Sequence, residues 1–166
     1  MRQPTIETQR LWLYPMRADD LDALLLIFSD PKVMAAFNEP PFGRPQMERW
    51  LKRNLDHQTE YGYGLFSVVH KKDGVLIGNC GLEQMEPGIS ELGYDLRSDY
   101  WNQGLATEAA GAVRDYAFHT LGLAALISLI RVGNHASRRV AEKIGMVHQE
   151  SFTRYQIAYW KYGINL

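Results

Sequence analysis

The stretch that most constrains this chain is Tyr100-Trp101-Asn102-Gln103-Gly104-Leu105-Ala106-Thr107-Glu108-Ala109-Ala110. A strand-like run, Ile89 to Leu96, precedes it. A helix-like run follows, in which Ala106, Ala109, Ala110, Val113, Ala117 and Leu121 recur at three- and four-residue spacing. A strand that turns through glycine into a helix presents unpaired backbone N–H groups at the positive end of the helix dipole, an arrangement suited to phosphate. Gly104 lets the backbone approach a ligand closely, and small Ala106 keeps the first turn open. A glycine at such a junction serves plain chain reversal equally well.

The remaining elements fall into place around that turn. Arg10 to Pro15 alternates as a strand, Asp19 or Asp20 caps a helix through Phe28, and Asp30-Pro31 breaks it. Val33 to Phe37 reads as a short helix or turn, Glu39 to Pro45 as a loop, and Pro45 to Gln58 as a helix. Leu65 to Val69, Val75 to Leu82 and Ile89 to Leu96 form three antiparallel strands. After the helix of 106–121, the apolar run Ala125 to Ile130 predicts a strand covered on both faces, parallel to 89–96. A short helix from Asn134 to Gly145 and strands 147–152 and 157–164 complete an α/β order, β-α-α-β-β-β-α-β-α-β-β, over one domain of residues 1–166.

Composition narrows the function. A net charge of −1 argues against nucleic-acid binding through general basicity. No apolar run reaches membrane-spanning length, and the single cysteine, Cys80, permits no internal disulfide; both suit a cytoplasmic protein. Cys80, amid Ile77 and Leu82, reads as a buried small residue rather than a nucleophile. The five histidines show no metal-ligand spacing, and His70, His119 and His148 read as surface or strand-end groups. Trp12, Trp50, Trp101 and Trp160 read as core.

The order and these residues resemble the GNAT superfamily of N-acetyltransferases, in particular its RimJ/RimL-like branch of ribosomal-protein N-terminal acetyltransferases. The resemblance covers nearly the whole chain. Glu7 to Leu13 is similar to that branch's opening strand, and Asp30 to Met34 to its segment after the first helix. Tyr100 to Ala109 is similar to its acetyl-CoA signature, and Asn134 to Met146 to its second signature. Trp101 stands where the wider superfamily prefers Gln or Arg.

The resemblance implies a mixed, mostly antiparallel sheet with helices on both faces, in which the parallel pair 89–96 and 125–130 splays into a V. It implies acetyl-CoA as donor and no metal. The backbone of Asn102, Gln103, Gly104, Leu105, Ala106 and Thr107 is then expected to hold the diphosphate, with Glu108 pointing away. The backbone of Asp95, Leu96 and Arg97 is expected to bond the pantetheine as a strand would, and a bulge near Gly93 to free an N–H for the thioester oxygen. Asn134 is expected at the pantetheine, although an asparagine there also caps helices. Ser137 is placed to protonate the leaving thiolate, where many relatives use a tyrosine. Arg138, Arg139 and Lys143 are candidates for the CoA 3′-phosphate, Lys143 foremost. Phe37 and Phe42 are expected to border the acceptor site.

The acceptor must attack as a free amine. An α-amine of pKa about 8 is roughly a tenth neutral at pH 7, whereas a lysine near 10.4 is below one part in a thousand. Glu91 is the candidate base. The expected function is transfer of an acetyl group to a primary amine, a protein or peptide N-terminus first, a polyamine, amino acid or drug as the alternative, and a non-catalytic CoA-binding module as the third. Tyr159, Trp160 and Tyr162, expected on an exposed terminal strand, suggest a homodimer.

Overall fold

In the computed structural model, which describes residues 2–166, the strands form one eight-stranded sheet. They are β1 (Ile6–Glu7), β2 (Leu11–Pro15), β3 (Leu65–His70), β4 (Val75–Glu86), β5 (Ile89–Leu96), β6 (Ala125–Arg131), β7 (Val147–Arg154) and β8 (Ile157–Asn165). The helices are α1 (Leu21–Phe28), α2 (Pro31–Met34), α3 (Arg44–Tyr61), α4 (Leu105–His119) and α5 (His135–Lys143). The sheet order is β1-β2-β3-β4-β5-β6-β8-β7, and every neighbouring pair is antiparallel except β5–β6. The fold is therefore the α/β GNAT arrangement that the sequence led us to expect.

Two hydrophobic cores, one on each face, hold the helices to the sheet. On one face α4 buries Leu105, Ala109, Ala110, Val113 and Ala117 against Phe66, Val68, Cys80, Leu82, Leu92 and Leu126. Alanine favours the helix and leaves little bulk between helix and sheet, so α4 lies close to β4 and β5. On the other face Met16, Leu24, Ile27, Phe28, Met47 and Leu51 join α1 and α3 over the first half of the sheet. That second core stops short of β5 and β6, whose outer face lines an open cavity.

The parallel pair meets only at Ile89–Ala125, Ser90–Leu126 and Glu91–Ile127, and then diverges. Side chains close the apex. Ser128 Oγ, buried, donates to the Leu92 carbonyl at 2.8 Å, and the Leu129 N–H is directed at the Glu91 carboxylate. A side chain thus takes the place of the next ladder rung on β5, and beyond it the strands part.

Several expectations need correction. The β4–β5 register runs unbroken through Gly81–Gly93, so no bulge lies at Gly93; the shift in that pair falls between Gln84 and Glu86. Backbone groups on β5 face the V because β6 leaves, not because β5 bulges. Asp20 does not cap α1 with its side chain. It is buried instead, accepting from the Arg17 N–H, from Ser67 Oγ at 2.7 Å and from Arg2. Trp101 is exposed, its indole N–H donating to the Leu96 carbonyl at 2.9 Å. β8 lies between β6 and β7, with Tyr162 buried and Tyr159 and Trp160 half-buried, so these aromatics offer no free edge. Among the described residues β7 is the strand at that edge.

Candidate active site

A single cavity of about 900 Å³ runs through the V. One half lies among α4, α5 and the diverging strands, and the other beneath α1, α2 and α3.

In the first half the chain turns through Asn102 (φ 62°) and Gly104 (φ 77°) into α4. Gly104 stands at the N-cap, where its left-handed backbone is free of the Cβ penalty. No side chain caps α4, so its first N–H groups face the cavity alongside Leu105, Ala106 and Thr107. Gln103 does not line the cavity; its carbonyl accepts from Arg10 Nη1 at 2.8 Å. Glu108 points away, as expected. It accepts from Thr8 Oγ1 at 2.6 Å, from the Arg10 N–H at 2.9 Å and from Arg10 Nε at 2.8 Å. Burial pushes the Glu108 carboxyl upward, but these bonds outweigh it and hold the group below the usual glutamate value. The first turn of α4 is thereby braced to the β1–β2 turn.

The free backbone of β5 is set by parity. The Leu92 carbonyl faces the V, so the N–H and C=O of Tyr94 and Leu96 lie on the same edge. Asp95 pairs with Asn79 on the β4 side. The Arg97 N–H is spent on the Ile77 carbonyl at 2.7 Å, and its carbonyl accepts from the Tyr100 N–H. Of the three residues expected to offer backbone along the V, only Leu96 does so, through its N–H, since its carbonyl accepts from Trp101 Nε1; Tyr94 takes the place of Asp95 and Arg97.

On the opposite arm, Asn134 caps α5, its Oδ1 accepting from the Ser137 N–H at 3.2 Å. Its Nδ2 donors remain for a ligand. Ser137 Oγ donates to the Tyr94 hydroxyl at 3.2 Å, and that hydroxyl donates to the Ser137 carbonyl at 2.7 Å. Burial raises the Tyr94 phenol well above its ordinary value. No local pattern marks Tyr94, which reaches Ser137 from β5, 43 positions away. Arg139 and Lys143 line the cavity. Arg138 instead bonds Glu142 at 2.9 Å and lies over Trp160.

In the second half, Phe42 stacks on Phe28 with ring centroids 5.6 Å apart, and Val33, Met34 and Trp50 extend the apolar wall. Phe37 is exposed at the mouth, its carbonyl accepting from Arg131. Glu91 and Asp95 project from β5 into this half. Burial and the nearby Glu83 raise the Glu91 carboxyl, with the Leu129 N–H and Arg154 pulling the other way. Asp95 is pushed up to about 7 by burial, Asn79 offsetting part of it. Cys80 is fully buried and its thiol raised by desolvation, far from a nucleophile's needs. Among the described residues no cluster of His, Cys, Asp or Glu could hold a metal.

A family model described as "Acetyltransferase (GNAT) domain" matches residues 10–147. The chain belongs to the GNAT acetyltransferase family. Among curated relatives of this acetyltransferase, YkkB of Bacillus subtilis (strain 168) is 35% identical over 152 residues, covering 89% of this chain and 88% of that one. The FsC-acetyl coenzyme A-N(2)-transacetylase of Aspergillus fumigatus is 30% identical over 166 residues, covering 90% of this chain and 68% of that one. An acetyltransferase (GNAT family) from Bacillus anthracis superposes with a TM-score of 0.85 at 25% identity, over 96% of this chain and 97% of that one. RimL, a ribosomal L7/L12 alpha-N-protein acetyltransferase solved with coenzyme A, superposes with a TM-score of 0.84 over 96% of each chain. Its identity is 14%, which speaks to the fold alone. No helix among the described residues is long and apolar enough to cross a membrane.

Proposed function

We propose that this GNAT enzyme moves the acetyl group of acetyl-CoA to the α-amine of a peptide or protein N-terminus, by direct attack on the thioester. The backbone of Asn102 and Gly104 to Thr107 would hold the diphosphate, with Arg139 and Lys143 nearby for the remaining phosphate. Tyr94 and Leu96 would bond the pantetheine amides along β5, and Asn134 Nδ2 would meet them from the other arm. The hydroxyl pair of Ser137 and Tyr94 would protonate the departing thiolate.

The observation that carries the choice of acceptor is the chemistry of the second half of the cavity. Its wall is apolar and aromatic, and Arg131 and Arg154 stand on it. Of its carboxylates Glu39, Glu91 and Asp95, Asp95 is pushed up to about 7, so its negative charge is blunted near neutrality, and Glu91 faces Arg154. Such a surface offers a polycation no extended anionic cradle and suits an amine that carries a carbonyl beside it. The name of RimL accords with this reading. A small amine is the second reading, favoured by the name of a structural neighbour, spermidine N-acetyltransferase from Vibrio cholerae, and a non-catalytic CoA-binding module is the third.

Thiol release from acetyl-CoA separates them. The acceptors are a peptide with a free N-terminus, its N-acetylated counterpart bearing lysine, a free amino acid and a polyamine. Turnover with the first alone supports the proposal. Turnover confined to small amines establishes the second reading, and tight CoA binding with no turnover the third.

A further inference from the structure

Glu91, Gly93 and Asp95 follow one another at two-residue spacing on the acceptor face of β5. A carboxylate therefore stands on each side of a position with no side chain. A Cβ placed at Gly93 would meet nothing within 4 Å, so the strand carries an open slot there, directly beside the V.

The two carboxylates differ in what they touch. Glu91 sits on the last β5–β6 rung, engages the Leu129 N–H and faces Arg154, so it helps close the apex. Asp95 lies beyond the apex, on the free arm. It is half-buried with no cation paired to it among the described residues, and Asn79, opposite it on β4, is the polar group that eases its ionisation. The Asn79 Nδ2 is buried and makes no hydrogen bond, so it is available to hold the carboxylate once ionised. Tyr94 on its own strand and Cys80 on β4 feel the Asp95 charge, and Glu91, Arg131 on β6, Arg154 on β7 and Glu39 after α2 line the same cavity.

We infer that Asp95 is the base that takes the first proton from the acceptor ammonium, held in the slot over Gly93, with Asn79 positioning its carboxylate. The inference rests on the acetyl-transfer reading above. The ammonium gives one proton to Asp95, and the freed lone pair forms the C–N bond to the thioester carbon. Collapse of the tetrahedral adduct breaks the C–S bond. The thiolate receives a proton through the Ser137–Tyr94 hydroxyls, the nitrogen's second proton restores that hydroxyl pair as the amide forms, and Asp95 returns its own to solvent. A carboxyl that titrates near neutrality is matched to this task, where an ordinary aspartate is a weak base.

The test measures kcat at saturating peptide acceptor between pH 5.5 and 9 for the wild type, Asp95→Asn, Asp95→Glu, Glu91→Gln and Gly93→Ala, with coenzyme affinity by calorimetry. The wild type is expected to show an acid limb near pH 7. Asp95→Asn should lose about 100-fold or more in kcat along with that limb, while its coenzyme Kd stays within about twofold. Asp95→Glu should restore part of the rate. Gly93→Ala should raise the acceptor KM with little change in coenzyme Kd. Retention of kcat and of the acid limb in Asp95→Asn overturns the inference, as does their loss in Glu91→Gln alone. If the wild type acetylates no acceptor, the functional reading fails first. The carboxyl 13C titration of Asp95, assigned with Asp95→Asn, then decides the rest: a midpoint near 7 supports it, and one in the ordinary aspartate range overturns it.

Discussion

Replacing Glu108 by Gln probes how the diphosphate turn is held. The carboxylate gathers three donors from residues about a hundred positions away, namely Thr8 Oγ1, the Arg10 N–H and Arg10 Nε. Hydrogen bonds to a charged acceptor contribute about 1.5–3 kcal/mol each when well shielded. The Arg10 side chain is 40% exposed, however, so its ion pair is screened and is worth at most about 1 kcal/mol. Glutamine keeps one oxygen and loses the charge, so the expected cost is about 1–2 kcal/mol. At about 2–4 °C per kcal/mol for a chain of this size, melting should fall by a few degrees. Because the folded carboxyl lies below its unfolded value, this stabilisation is present above the unfolded pKa and is lost as pH falls through the folded one. The difference between wild type and Glu108→Gln should therefore shrink in acid. Arg10 also bonds the Gln103 carbonyl, so the same variant should weaken coenzyme binding several-fold by calorimetry. Equal melting of the two proteins at pH 7 would refute the energetics. Lower melting with unchanged coenzyme Kd would refute the link to the turn.

Ser128→Ala leaves the Leu92 carbonyl unpartnered at the apex and should cost about 1–2 kcal/mol in denaturant titration. A cost near zero would mean that water or a shifted strand takes over the bond. Tyr94→Phe and Ser137→Ala should each leave coenzyme affinity within a few-fold while lowering kcat, the larger fall marking the group that meets the thiolate; full kcat in both variants would remove the hydroxyl pair from catalysis. Cys80, buried with a raised thiol pKa, should resist alkylation in the native state at pH 7.5, and turnover should be unaffected by the reagent. Rapid labelling would contradict its placement.

The parts legible in the sequence were those written in local pattern. The glycine turn into α4, the alternation of β2 and the largely apolar run of β6 each predict their element from neighbours a few residues away. What escaped depends on partners far along the chain. Asp95 was expected to lend only its backbone, because its side chain's surroundings come from the far side of the cavity and from Asn79 on another strand. The backbone parity of β5, which exchanges Asp95 and Arg97 for Tyr94, is fixed by the β4 register and not by composition. The strand order that seats β8 inside the sheet is likewise a matter of pairing, which periodicity cannot express.

The cavity passing through the V has a kinetic corollary. Donor and acceptor would approach from opposite faces of the sheet, and neither need wait for the other's exit. Under the direct attack proposed above, with Cys80 buried away from the cavity, both would have to be aboard before anything is transferred. Initial-rate plots are therefore expected to intersect rather than run parallel, and a non-hydrolysable donor analogue should compete with acetyl-CoA but not with the amine.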